Sequence, residues 1–189
     1  MLKELWFPTP VWFDTLDFDS DLAKQLCLEE RIKNPEGRKR SNIGGWQSNS
    51  IRDNESFNFL FNLIEQKGLE ILNEFDTYGY LELAETWINI NSGEDFNCEH
   101  YHPCSTLSGV LYVEVDQNSG NLIFNNPTPS IHYPPIKDEK LFHRTIKYKP
   151  LNNLIIIFPS WVPHEVQKSL ATSKERISIA FNLNIKYKL

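Results

Sequence analysis

Residues 154–164 read LIIIFPSWVPH, an apolar run that ends in two prolines, a tryptophan and a histidine. Five consecutive apolar residues have the length of a buried strand and fall far short of the ~20 that cross a bilayer. Proline fixes the backbone angle φ, so the turn after the strand is stiff. The pattern therefore predicts a buried strand followed by a rigid turn that holds His164 in place.

A second strand is predicted downstream, where apolar side chains occupy every second position of residues 176–184. Such a strand has one apolar and one polar face, and Arg176 and Ser178 share the polar face. A guanidinium beside a hydroxyl suits a carboxylate. A buried arginine without an acid partner is costly, so a bound dicarboxylate would explain it. The alternative is an ion pair with a local acid, Glu175 or Glu165.

Upstream, residues 98–104 read CEHYHPC. Residues two apart in an extended segment point the same way, so His100 and His102 can present two imidazoles to one ion. Imidazole binds iron, zinc, copper or nickel, and the pair alone does not identify the metal. Cys98 and Cys104 leave a Cys/His zinc site open. Two surface or hydrogen-bonded histidines without metal are the other interpretation.

The order of predicted elements indicates an α+β, mainly β fold. Residues 57–75 place apolar side chains at helical spacing, with Asp53 or Asn54 as the cap, and 21–31 predict a shorter helix. Strands are predicted at 86–91, 107–115, 121–124, 145–148, 154–158 and 176–184. Helices followed by short strands favour a barrel or jelly roll. We expect one domain, 1–189, in which 1–80 form a helical support and 81–189 the β core.

Composition excludes several classes of protein. The chain has 189 residues, of which 40% are hydrophobic, enough to form a core. Its net charge of −6 argues against a nucleic-acid partner, and the basic residues 38–40 are interpreted as a solvated loop. The absence of a long apolar run and of a signal-peptide pattern predicts a cytoplasmic protein without a membrane partner. Three cysteines do not form a disulfide framework.

Taken together, short motifs along nearly the whole chain resemble those of the iron(II)- and 2-oxoglutarate-dependent oxygenases, especially a bacterial and phage subfamily. The motifs are FPTPV at 7–11, GGWQS at 44–48, HYHP at 100–103, LSGVLYV at 107–113, Ser119-Gly120, FPSWVPH at 158–164 and ERIS at 175–178. The resemblance implies a double-stranded β-helix, a cupin-like jelly roll, with supporting N-terminal helices.

The resemblance also implies a metal site of the form His-x-Asp/Glu…His, in which His100 and His164 are metal ligands and catalytic residues. His102 stands where the family usually has the carboxylate. It is a third ligand, or it points away, or the metal is different or lost; we favour three histidines. Glu99 and Asp95 are nearby acids that a bulged backbone would bring to the metal. Imidazole in place of carboxylate raises the charge of the site by one.

Co-substrate residues follow from the same resemblance. Arg176 would bind the far carboxylate of 2-oxoglutarate with Ser178 beside it, Tyr112 would donate its hydroxyl, and Asn91 would contact co-substrate or substrate. For Tyr112 and Asn91 the alternative is an ordinary structural role. The implied cofactors are Fe(II), 2-oxoglutarate and O2, with ascorbate as a reductant. The implied products are succinate, CO2 and a hydroxylated peptide, amino acid or other small molecule.

Two other functions stay open at this point. One is a cupin-like structural or binding module that holds zinc or nickel, and the other is an interaction subunit without turnover. Trp161, Trp87, Trp46 and Phe124 are candidates for an apolar wall around the site. The loop 125–144 is expected to cover it, with His132 or Tyr133 near the substrate. The oligomeric state is left open, with a homodimer among the options.

Overall fold

The computed structural model describes residues 8–75, 79–128 and 144–187. Two helices are formed in the first half, α1 (Ser20–Lys33) and α2 (Asn58–Leu72). The side chain of Asp19 accepts a hydrogen bond from Leu22 N and caps α1. Asn54, one of the two predicted caps, accepts from Ser56 N and caps the 3₁₀ turn Glu55–Phe57. The helix α2 begins directly after this turn, and its own N-cap Phe57 makes no capping side-chain bond. The helix α2 ends at Leu72, three residues before the predicted end, and Phe75 is exposed.

Eleven strands lie in the described part of the chain. Their bounds are β1 (Trp12–Thr15), β2 (Asn42–Ile43), β3 (Trp46–Gln47), β4 (Gly79–Asn91), β5 (Phe96–His100), β6 (Leu107–Glu114), β7 (Leu122–Asn125), β8 (Thr145–Tyr148), β9 (Leu154–Pro159), β10 (His164–Val166) and β11 (Arg176–Tyr187).

The strands form two antiparallel sheets. One sheet has six strands in the order β1-β9-β6-β11-β4-β3, and the other has five in the order β2-β5-β10-β7-β8. After β4 the chain passes back and forth between the two sheets, except that the consecutive strands β7 and β8 pair within the five-stranded sheet. This winding is that of a double-stranded β-helix. The predicted α+β, mainly β architecture is confirmed.

Alternation along β9 shows how the core is divided. Ile155 and Ile157 belong to the cluster between the six-stranded sheet and the two helices. Leu154, Ile156 and Phe158 point the other way and pack between the two sheets. Both faces of β9 are therefore buried, which is why its sequence is continuously apolar and does not alternate.

Three short strands in the first eighty residues complete the sheets. β1 pairs with β9, β2 with β5 and β3 with β4. In the described ranges, no helix is both long enough and apolar enough to cross a membrane.

Candidate metal centre

His100 and His164 are brought together by strand pairing. β5 ends at His100 and β10 begins at His164, and the two residues are direct cross-strand partners. The stiff turn of residues 159–163 precedes β10, so the rigid mount predicted for His164 delivers it to the His-x-His segment. The imidazole centroids of the two residues are 4.4 Å apart.

His102 joins them from the segment after β5. Its backbone N donates to Ser160 O at 2.9 Å, and its Nε2 lies 3.3 Å from the Nε2 of His164. One ligand atom from each of the three histidines lies within 4.8 Å of the others. Two nitrogens bound to one ion at ~2.1 Å are roughly 3.0–3.4 Å apart for bond angles between 90° and 109°. The separation of the two Nε2 atoms matches a shared ion.

Backbone carbonyls orient two of the rings. His100 Nδ1 lies 2.8 Å from Cys98 O, and His164 Nδ1 lies 2.9 Å from Val162 O. A carbonyl only accepts, so each Nδ1 carries the proton and donates it. The Nε2 atoms are therefore left with free lone pairs, which is the state that binds a metal.

Burial keeps the three rings neutral. Desolvation, together with the neighbouring His100, lowers the pKa of His102 to about 4. The same two causes lower the pKa of His164 to about 3. Desolvation also lowers the pKa of His100. Neutral imidazoles at neutral pH need not lose protons before they bind a cation.

The donor set contains nitrogen only, among the residues that the structure describes. Neither thiol belongs to the group, and both Cys98 and Cys104 are exposed. Glu99 accepts a hydrogen bond from Asn125, and Asp95 accepts from Ser92 N. The nearby acids are thus engaged elsewhere, and the arrangement does not form the Cys/His zinc site considered above.

Arg176 is 1% exposed and lies on β11 facing the same interior. Its Nη1 donates to Ser178 Oγ at 3.1 Å. Glu175, the acid proposed as its alternative partner, instead pairs with Arg31 at 2.6 Å. No carboxylate of the described ranges forms an ion pair with Arg176. A buried cation without a counter-charge is unfavourable, so an anion is expected beside it.

Four buried polar atoms near Arg176 have no hydrogen-bond partner in the described structure. They are Arg176 Nε, Tyr112 Oη, Asn89 Oδ1 and Asn91 Oδ1. The guanidinium carbon of Arg176 lies 4.9 Å from the centroid of the Tyr112 ring. Burial raises the pKa of Tyr112, so its hydroxyl keeps its proton and can donate it. Buried polar groups are normally paired, and these atoms mark a place for a polar ligand.

One interior cavity contacts both the histidines and Arg176. Its lining includes His100, His102, His164, Arg176, Ser178, Trp87, Asn89, Asn97 and Phe158. Its free volume is ≈ 50 Å³, room for a few water molecules, so a five-carbon acid would require lining side chains to shift. Tyr112 and Asn91 are not among the lining residues, although Asn91 Nδ2 donates to Asn97 Oδ1 at 3.1 Å.

Two polar lining residues, Asn97 and Asn89, were not among the site residues predicted from the sequence. Asn97 lies on β5 and faces the cavity only because β5 pairs with β2 and β10, which no local pattern reveals. Asn89 lies on β4 two residues before Asn91, and β4 carries it into the lining. Of the four proposed wall residues, Trp87 lines the cavity, whereas Trp161 is 52% exposed. His132 and Tyr133 lie outside the described residues.

A family model described as "Putative 2OG-Fe(II) oxygenase" matches residues 85–182, which is more than half of the chain. The match includes all three histidines and Arg176. No curated protein matches the sequence.

Solved structures share the fold at low sequence identity. A prolyl hydroxylase from Trichoplax adhaerens, in complex with a hypoxia inducible factor peptide fragment, aligns with a TM-score of 0.68 at 12% identity, over 92% of this chain and 83% of that one. HygX from Streptomyces hygroscopicus, with nickel and 2-oxoglutarate bound, aligns with a TM-score of 0.63 at 11% identity, over 93% of this chain and 83% of that one. An oxidoreductase of the 2OG-Fe(II) oxygenase family from Burkholderia pseudomallei gives 0.53 at 16% identity; the alignment covers 68% of this chain and 58% of that chain.

Proposed function

Because the chain belongs to the iron(II)- and 2-oxoglutarate-dependent oxygenase family, we propose that it hydroxylates a C–H bond of a peptide, an amino acid or another small molecule. In this reaction the substrate R–H, 2-oxoglutarate and O2 give R–OH, succinate and CO2. One oxygen atom enters the hydroxyl group and the other enters succinate, so the atoms balance without a further reactant.

One observation carries the proposal. Three neutral imidazoles line the same cavity as a buried guanidinium that has no carboxylate partner among the described residues. A metal alone would not need Arg176, and a carboxylate alone would not need three convergent histidines. A chelating dicarboxylic acid bound at a metal uses both.

His100, His102 and His164 would hold the iron. When bound, the iron supplies the redox chemistry that couples decarboxylation of 2-oxoglutarate to C–H oxidation. Three neutral ligands leave the full charge of the ion uncompensated by the protein, which favours binding of an anionic co-substrate.

Arg176 would bind the far carboxylate of 2-oxoglutarate, with Ser178 holding the guanidinium in place. The Tyr112 hydroxyl lies beside Arg176 and keeps its proton, and it would donate to the same carboxylate once the lining side chains shift. Asn91 supports the wall through its hydrogen bond to Asn97. The ordering cost is low, because Arg176 is already held by Ser178 and by the Tyr112 ring.

Aromatic side chains pack against two of the three histidine rings. The Trp87 ring lies 5.6 Å from that of His102, and the Phe158 ring lies 4.7 Å from that of His164. These apolar surfaces lower the polarity of the interior side of the site, which strengthens electrostatic interactions with Arg176.

The test is succinate formation from 2-oxoglutarate by protein supplied with Fe(II) and ascorbate under air. We expect turnover in the wild type and none in His164→Ala. Turnover without substrate is often slow, so binding of N-oxalylglycine, an inert 2-oxoglutarate mimic, to the anaerobic Fe(II) protein is measured in parallel. The proposal would be refuted if the wild type neither formed succinate nor bound N-oxalylglycine.

The same preparation tests the alternative of a zinc or nickel binding module. The metal content of anaerobically purified protein is measured. Iron, together with visible absorption that depends on 2-oxoglutarate, supports the oxygenase. Tightly held zinc that 2-oxoglutarate does not perturb supports the alternative. Cys98→Ser and Cys104→Ser are matched controls, because neither thiol is in the histidine group, and neither substitution is expected to change metal content.

A further inference from the structure

A large open groove lies on the outer side of the histidines. It has a volume of ≈ 900 Å³, compared with ≈ 50 Å³ for the interior cavity. We call it the outer groove. Ser41, Trp87, His100 and His102 line both spaces. A molecule in the outer groove would therefore reach the metal ligands from the side opposite to Arg176.

The basic run of residues 38–40, which the sequence analysis interpreted as a solvated loop, lines the outer groove. Arg38, Lys39 and Arg40 contribute three positive charges to the lining, and Glu85 and Glu99 contribute two negative ones. Glu85 is engaged by Arg38 at 3.4 Å, and Glu99 accepts from Asn125. Within the described ranges, Lys39 and Arg40 have no ion-pair partner and are exposed.

The backbone of this basic segment is held in place. Arg38 N donates to Gln47 O at 2.7 Å, and Arg40 N donates to Asn42 Oδ1 at 2.8 Å. Asn42 Nδ2 donates to Arg38 O at 3.2 Å and to Gly45 O at 2.7 Å. These bonds fix the backbone of the segment, and the exposed side chains of Lys39 and Arg40 line the outer groove from it.

Gly37 makes the close approach possible at the start of the segment. Its φ is +57°, and a Cβ there would lie 2.5 Å from Gln47 O. A non-glycine residue would push the segment off β3 and away from the groove.

We propose that the substrate of the oxygenase is an acidic polypeptide segment that lies in the outer groove, with its carboxylates on Lys39 and Arg40. This inference rests on the proposed function. The chain as a whole carries a charge of −6. The positive charges of Lys39 and Arg40 at the edge of the outer groove therefore have the opposite sign to the net charge of the protein. Positive charges at the edge of a cleft attract anionic substrates and orient them.

The shape of the outer groove favours a polypeptide over a small acid. Sites for small molecules enclose most of their ligand. The outer groove is open to solvent, and its lining comes from chain segments as far apart as 38–41, 84–87 and 98–105. The exposed ring of Tyr101, at 59%, adds an aromatic contact surface. An extended segment of a larger molecule fits such a surface and can place one residue over His100 and His102.

The test uses protein loaded with Fe(II) and N-oxalylglycine under anaerobic conditions, and fluorescent peptides that differ only in charge. One is a random copolymer of Glu, Ala, Pro and Tyr; in two others, Gln or Lys replaces Glu. We expect the Glu peptide to bind more tightly than the Gln peptide, the Lys peptide not to bind, and added salt to weaken binding. The double variant Lys39→Glu/Arg40→Glu should lower the affinity by about tenfold.

The matched control is Lys147→Glu/Lys149→Glu, which makes the same change in net charge at exposed positions that do not line the outer groove. Equal binding of the three peptides, or an equal loss in the control variant, would overturn the proposal. Competition by free glutamate as strong as that of the peptide would assign the groove to small acids and also overturn it. Binding of N-oxalylglycine to the wild type separates failure of the proposed function from failure of the proposed substrate. If N-oxalylglycine does not bind, the oxygenase function is wrong; if it binds and the peptide results are negative, only the substrate class is wrong.

Discussion

The Nε2 atoms of His102 and His164 lie 3.3 Å apart, although 62 residues separate them along the chain. His164 Nδ1 donates a hydrogen bond to Val162 O, so the Nε2 atom of His164 presents a lone pair to His102. Two lone pairs at this distance repel each other unless a proton or a cation lies between them. A proton on His102 Nε2 or a shared cation satisfies both nitrogens, and the nearby ring of His100 makes the three histidines a candidate metal site.

His102→Asp is predicted to keep metal binding and to weaken co-substrate binding. The substitution restores the carboxylate that the family usually has at this position and lowers the charge of the loaded site by one. A unit charge ~6 Å away is worth up to roughly 3 kcal/mol at an effective dielectric constant of ~20. We expect N-oxalylglycine to bind about tenfold more weakly, as measured by calorimetry on the Co(II)-loaded protein.

His102→Asn controls for loss of the imidazole alone, because it adds no charge. Metal affinity should fall in this variant more than in His102→Asp, since an amide is a poorer ligand for a transition metal than a carboxylate. Unchanged N-oxalylglycine affinity in both variants would mean that His102 is not bound to the metal.

The metal-free protein is predicted to lose stability as the pH falls below about 6.5. An unfolded histidine takes up a proton near pH 6.5, whereas the folded pKa is lowered to about 4 for His102 and to about 3 for His164. Between these values the histidines are protonated in the unfolded chain and neutral in the folded protein. The free energy of unfolding therefore decreases by about 1.4 kcal/mol for each histidine when the pH falls by one unit. Urea unfolding at several pH values measures the slope.

The double variant His102→Asn/His164→Asn should show a shallower slope over the same range, because neither residue then titrates. A slope in the metal-free wild type no steeper than in this variant would show that the rings are not held neutral by burial.

The parts of the site that local patterns predict are those on long strands. The alternation in β11 correctly separates Arg176 and Ser178 from the apolar residues, because both faces of that strand are buried in different surroundings. The His-x-His pair and the stiff turn before His164 also identify residues that the fold brings together. Their meeting depends on the pairing of β5 with β10, and only the family resemblance suggested it.

Short strands account for most of what the sequence did not reveal. β2 and β3 have two residues each, too few for a period to show. The chain around them nevertheless makes two bonds that position the basic segment at the outer groove. Ser41 O, next to β2, accepts from Cys98 N, and Gln47 O in β3 accepts from Arg38 N. β4 begins at Gly79, seven residues before the predicted start. Residues 80–85 alternate between exposed and less exposed positions, and only Leu83 among them is buried. Tertiary pairing defines these elements, and local propensity does not.

Arg176→Met is predicted to stabilise the metal-free protein and to abolish co-substrate binding. The substitution removes a buried cation that has no carboxylate partner in the described structure, while methionine fills a similar volume. The lost contact with the Tyr112 ring offsets part of the gain. We expect a higher urea midpoint without ligand. We also expect no stabilisation by 2-oxoglutarate, which at a hundredfold excess over Kd adds about 2.7 kcal/mol to the wild type.

Arg52→Met is the matched control. Arg52 donates to Leu83 O at 2.8 Å and pairs with Glu65, away from the cavity. This variant should lose stability and keep the effect of 2-oxoglutarate. The role given to Arg176 would be wrong if Arg176→Met were less stable than the wild type and still responded to 2-oxoglutarate.

Ser160→Ala is predicted to weaken metal binding although Ser160 does not touch the metal. Ser160 connects the two histidine segments through three hydrogen bonds: its O accepts from His102 N, its N donates to Thr106 O, and its Oγ donates to Ser105 O. The substitution removes the last bond and frees the segment that carries His102. Residues that orient metal ligands typically change affinity by ~10–100-fold, so we expect a loss of about tenfold for Co(II).

A purely structural role would lower stability without changing metal affinity, and Ser169→Ala supplies that comparison. Ser169 is also buried, and its Oγ accepts from Gly120 N at 2.9 Å, outside the histidine segments. Each variant should lose about 1 kcal/mol of stability, but only Ser160→Ala should lose metal affinity, and Ser160→Thr should restore it. Equal Co(II) affinity in the two alanine variants would show that His102 is positioned by the strand pairing of its neighbours and not by Ser160.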